Sequence, residues 1–120
     1  MDKSEAIKAI ESQLTTDQQQ LLKDTINYGC WGDCDQDFLN ANGERETVSA
    51  MGYCTNDAKE AGHFKGRTVS SMFRAIYKKL CPNGTGQYLS HCTDWWGDGS
   101  GDMLFIRNAD REEVEAWARN

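Results

Sequence analysis

Between Thr68 and Leu80 the chain carries the pattern that most constrains its fold. Val69, Met72, Phe73, Ile76 and Leu80 recur at i, i+3, i+4, i+7 and i+11. At about 100° per residue they gather on one face of an α-helix. Ser71, Arg74 and Lys78 fall on the opposite face, with Lys79 at its flank. A helix of this kind needs a core to lie against. Cys81-Pro82-Asn83-Gly84 ends it, because proline disfavours helical backbone in the residue before it.

The flanking segments read as smaller elements around that helix. Ala6, Ile7, Ile10 and Leu14 recur at helical spacing over residues 3–14. Thr16-Asp17-Gln18-Gln19 fits a capping box for a second helix, with Leu21, Leu22 and Ile26 as its buried stripe and Gly29 as its end. Residues 30–46 hold Asp33, Asp35, Asp37, Asn40, Asn42, Gly43 and Glu44 and read as an acidic, turn-rich loop. Thr47–Cys54 reads as a short strand, and Thr55 as the cap of a short helix that Gly62 terminates. Tyr88–Trp96 and Met103–Arg107 read as two strands of a hairpin joined by Gly97-Asp98-Gly99-Ser100-Gly101. Asp110 is expected to cap a last helix, Arg111–Arg119, with Val114 and Trp117 facing inward. The expected class is a single α+β domain of 120 residues.

Charge is distributed unevenly along this order. No acidic residue occurs between Glu60 and Asp94, and that interval holds Lys65, Arg67, Arg74, Lys78 and Lys79. It carries +5, whereas the rest sets eight basic against all 19 acidic groups, a balance of −11. Such segregation marks a functional face more often than a fold requirement. The overall charge of −6 disfavours nonspecific nucleic-acid binding by the molecule as a whole but leaves a local basic face intact. No apolar run approaches the roughly 18 residues of a membrane span, and the charged N-terminus does not read as a signal peptide. A cytoplasmic location with no membrane partner is therefore expected. Asn83-Gly84-Thr85, a sequon by pattern, is then only a turn.

From about residue 16 to 107 the order of elements resembles a winged helix-turn-helix. The resemblance is carried by Thr55-Asn56-Asp57-Ala58-Lys59-Glu60-Ala61-Gly62-His63-Phe64-Lys65-Gly66-Arg67-Thr68-Val69-Ser70-Ser71-Met72-Phe73-Arg74. It contains a capped helix with small Ala58 and Ala61, a glycine-containing turn with Phe64, and a second helix opening with Thr68-Val69-Ser70. The resemblance implies a winged-helix-like core over 47–107, N-terminal helices over 1–29 and a C-terminal helix over 110–119. It also implies a DNA-binding regulator, with Arg67, Ser70, Ser71 and Arg74 towards bases, Lys65, Lys78 and Lys79 on phosphates, and Thr68 among the contacts to either. A homodimer would supply two such helices, with Ile7, Ile10, Leu14, Val114 and Trp117 either at its interface or equally in the core. The hairpin departs from that pattern, because Asp94, Asp98 and Asp102 would repel phosphates. A protein-interaction module docking an acidic partner is the rival, with Trp95 and Trp96 as possible anchors or as core and hairpin cover.

Other chemistry is thinly signalled. Five cysteines without a secretion signal argue against a disulfide framework. Cys30 and Cys34 have a zinc-compatible spacing, and Cys54, Cys81, His91 and Cys92 are the candidates for a second pair in a zinc-stabilised thiol domain, although none of these pair at ligand spacing. Asp33, Asp35, Asp37 and Glu44 match EF-hand positions, but Phe38 stands where the loop requires glycine. Asp98–Asp102 reads as a hairpin turn. No phosphate-binding glycine motif is present. His63 and His91 do not mark a catalytic pair, so the reading is non-enzymatic and without a cofactor.

Overall fold

The computed structural model describes residues 3–120. Ser4 caps helix α1 (Glu5–Gln13) by accepting from the Ile7 N–H. The capping box of α2 (Thr16–Tyr28) begins one residue earlier than expected, with Thr15 and Gln18 exchanging side-chain and backbone hydrogen bonds. Gly29 ends α2, but its φ of −107° needs no glycine. Close backbone approach is the cause. Gly29 O accepts from the Cys54 N–H at 2.7 Å, and a side chain at 29 would overlap the Cys54 carbonyl.

The expected acidic loop is instead half of a long hairpin. Strand β1 (Cys30–Leu39) pairs antiparallel with β2 (Arg45–Cys54), so only Asn40–Glu44 remains as the turn. Residues 30–39 alternate with period 2. Asp33, Asp35 and Asp37 take one face, while Cys34, Gln36 and Phe38 take the other. The aspartates are tolerated because this is an edge strand on which Asp33 and Asp35 are exposed and Asp37 is half-buried. Thr47 donates to Asp37 at 2.6 Å, and Ser49 to Asp35 at 3.4 Å.

A 3₁₀ helix (Thr55–Ala61) follows, closed by Gly62 at φ 82°, and leads into α3 (Gly66–Leu80). Strand β3 (Ser90–Cys92) is shorter than expected, and residues 93–102 form a loop before β4 (Met103–Arg107). Helix α4 (Asn108–Ala118) starts directly after β4, two residues ahead of the expected Asp110 cap. Asp110 instead binds Arg107 at 2.7 Å.

The described residues form a compact α+β domain with four α-helices, one 3₁₀ helix and a four-stranded antiparallel sheet of order β1-β2-β4-β3. Met51, Tyr53, Leu104 and Ile106 face the helices and join Leu21, Leu22, Phe73 and Ile76 in the main core. On the opposite sheet face Phe38, Ala50, Met103 and Phe105 form a second cluster, with Trp95 laid over it. The sheet curls around this cluster, and Leu39 N–H donates to Gly86 O, ahead of β3, at 2.9 Å. Gly52 leaves room inside the curl, since a side chain there would meet Met103 Cε at 2.6 Å. Of the terminal-helix residues that could be interface or core, Ile7, Ile10, Leu14 and Val114 are buried in the main core and half-buried Trp117 packs against it. Among the described residues no helix is long and apolar enough to cross a membrane.

Candidate docking face on helix α3

Helix α3 begins at Gly66, two residues before the expected start at Thr68, with Lys65 in extended conformation ahead of it. Val69, Phe73, Ile76 and Tyr77 are buried, as the repeat requires. Every residue expected to contact a partner lies on the outside: Lys65, Arg67, Thr68, Ser70, Ser71, Arg74, Lys78 and Lys79 are all exposed.

Three attachments fix the helix. Before it, His63 Nδ1 lies 2.9 and 3.1 Å from the two carboxylate oxygens of Asp24, which is only 2% exposed on α2. On its flank, Lys79 Nζ donates to Gln18 Oε1 at 2.8 Å. Beneath its C-terminal half, the Tyr77 ring stacks on His91 with centroids 3.7 Å apart, and Cys81 Sγ lies 3.5 Å from His91 Nδ1. Burial pushes the Cys81 thiol up to about 12 and draws His91 below its ordinary value, with Asp102 opposing the latter. Burial, and then the Asp102 carboxylate, raises Tyr77. Cys81 and His91 are thus neutral packing partners rather than an activated pair.

Of the eight cations outside residues 65–79, Lys23, Lys59 and Arg119 form no ion pair with a carboxylate among the described residues. The other five, Lys3, Lys8, Arg45, Arg107 and Arg111, each reach a carboxylate within 4.0 Å. None of Lys65, Arg67, Arg74, Lys78 and Lys79 forms such a pair among the described residues. Arg74 reaches only the Ser71 hydroxyl, at 3.5 Å. This face is exposed, positive and unneutralised. Its N-terminal half is bordered by loop 93–102, because Ser70 shares a cleft with Asp94 and Asp102.

The thiols do not converge. In the strand register Cys30 shares the helix-facing side with Met51, at 3.8 Å between sulfurs, while Cys34 and Cys54 face the second cluster. Cys81 is buried at the end of α3. Among the described residues no three His, Cys, Asp or Glu side chains are placed to hold a metal ion. Trp95 packs edge-on to Phe105 and Trp31, whereas Trp96 is 42% exposed. No protein-family model, curated protein or solved structure matches the chain.

Proposed function

We propose that the protein is a non-enzymatic binding module that docks an acidic segment of a partner protein on the exposed face of α3. The observation that carries this reading is the row of cations, Arg67, Arg74, Lys78 and Lys79 with Lys65 ahead of them, which have no carboxylate partner among the described residues of an acidic chain. Unpaired charge on a rigid helix steers an oppositely charged partner and fixes its register. The carboxylates of loop 93–102 favour a protein over a duplex. They flank the N-terminal half of α3, the half that a helix-turn-helix inserts into the major groove.

A second reading, a winged-helix DNA-binding regulator, is favoured by one specific arrangement. The 3₁₀ helix, the left-handed turn at Gly62 and α3 follow one another, and α3 presents Arg67, Ser70, Ser71 and Arg74 outward. Fluorescence anisotropy separates the two. A labelled oligoglutamate peptide and a labelled mixed-sequence duplex are titrated with the protein from low to physiological salt. The protein-docking reading expects the peptide to bind and Arg74→Ala with Lys78→Ala to weaken it about tenfold or more. Duplex binding with a steep salt slope that the same substitutions flatten would replace it with the DNA reading. Binding of neither probe at the lowest salt would end both.

A further inference from the structure

Beside the basic face lies a site of opposite character. A cleft of about 370 Å³ opens between the 3₁₀ helix, the N-terminal half of α3 and loop 93–102. Val69 and Phe73, 3% and 2% exposed, form an apolar floor. Asn56, Ser70, Asp94 and Asp102 form a polar wall.

The wall is fixed in place. Thr55 N–H donates to Asp102 O at 3.1 Å, and Asp102 N–H donates to Thr55 Oγ1 at 3.3 Å. The Asp102 carboxylate accepts from the Asp94 N–H at 2.9 Å and from the Tyr77 hydroxyl at 3.4 Å. Asp94 stands at φ 53°, and its Oδ1 accepts from the Gly99 N–H at 2.7 Å. Its Oδ2 and the Asn56 side-chain amide have no hydrogen-bond partner among the described residues. Neither Asp94 nor Asp102 has a Lys, Arg or His within ion-pair distance there. The cleft therefore joins an apolar floor to two uncompensated carboxylates and a free amide.

We propose that this cleft binds an alkylammonium or alkylguanidinium group with a short aliphatic stem. The stem lies on Val69 and Phe73, as lysine and arginine stems lie on apolar surface with the charged head at its edge. The head donates to Asp94 Oδ2 and to Asp102, and charge-assisted bonds of this kind are about twice as strong as neutral ones. The volume is within the range of small-ligand sites. This site is independent of the acidic partner proposed for α3, because it selects the opposite charge.

The test is a titration of the isotopically labelled protein with butylguanidinium, butylammonium and butanol, followed by amide chemical shifts. Both cations are expected to move Asn56, Ser70, Gly99, Gly101 and Asp102, and butanol to bind about tenfold more weakly or not at all. Asp94→Asn is expected to weaken the cations about tenfold while keeping the fold, because asparagine tolerates left-handed backbone. Ser70→Lys, at an exposed position, is expected to compete from within the chain. Arg74→Ala with Lys78→Ala is expected to leave cation binding unchanged. Agmatine binding more tightly than an acetylated, amidated arginine identifies a free small amine as the source. The reverse order identifies a peptide side chain. Equal binding of butanol, cation binding unchanged in Asp94→Asn, or no shift at the cleft overturns the proposal.

Discussion

Gly86→Ala probes how the curled sheet closes under α3. An added methyl would overlap the carbonyl oxygen of Leu80 and lie 2.9 Å from Leu89 O and 3.0 Å from Leu80 C. All three are backbone atoms, so no rotamer change relieves the clash. Residue 86 has to move, and two hydrogen bonds move with it: Leu39 N–H to Gly86 O and Gly86 N–H to Leu89 O, both 2.9 Å. Overpacking costs about 1–3 kcal/mol and each lost bond about 1 kcal/mol, for roughly 3–5 kcal/mol in all. The entropy of unfolding for 120 residues is about 0.25 kcal/mol/K, so Tm is expected to fall by about 12–20 °C. The matched control is Gly32→Ala on β1, where an added methyl meets nothing within 4 Å. It is expected to melt within about 2 °C of the parent. Thermal unfolding followed by circular dichroism reads both. A Gly86→Ala protein melting within about 3 °C of the parent would refute the closure between β1 and the segment before β3.

Three further outcomes follow from the packing and the ionisations. His63→Ala removes a hydrogen-bond partner of buried Asp24, whose carboxylate then keeps, among the described residues, Gln20 at 2.9 Å, and is expected to cost about 1–3 kcal/mol in urea unfolding. An unchanged urea midpoint would remove His63 as an anchor of α3. Burial pushes Glu115 up, but hydrogen bonds from Arg111 and Tyr53 outweigh it and hold the carboxyl below its ordinary 4.5. The unfolded chain then binds more protons in acid, so this contribution is present above about pH 4.5 and is lost as pH falls through the lower folded value. Glu115→Gln is expected to flatten that acid limb, and a parallel limb would contradict the assignment. Cys81 titrates near 9.0 when unfolded and near 12 when folded, so its contribution is full below pH 9 and lost as pH rises towards 12. At pH 8 iodoacetamide is expected to label exposed Cys30 well before Cys81, with peptide mass spectrometry as the readout.

The parts of the fold that were legible are those whose burial follows a strong period. The stripe Val69, Phe73 and Ile76 defined α3 and the solvent face opposite it, and every expected contact residue on that face is exposed. Residues 30–39 do not read as a strand locally, because three aspartates, Gly32 and the asparagine-rich turn that follows obscure the alternation. Their stability comes from register with β2 and from Phe38 entering the second cluster, neither of which is local. Ser90–Cys92 was overextended towards Trp96 because β-favouring residues continue into the loop. There the left-handed Asp94 turns the chain and Trp95 returns to cover Phe105. The charge interval picked out cations that the fold leaves exposed along α3, but nothing local brings Asn56, Ser70 and Asp102 to one cleft. That assembly depends on the Thr55–Asp102 bonds formed across the fold.

The most direct measurement for the docking face is amide chemical-shift mapping of the labelled protein with oligoglutamate at low salt. The account predicts shifts along Lys65–Lys79 that disappear with added salt and are lost in Arg74→Ala with Lys78→Ala. Shifts centred on β1, on α4 or nowhere in the protein would contradict it.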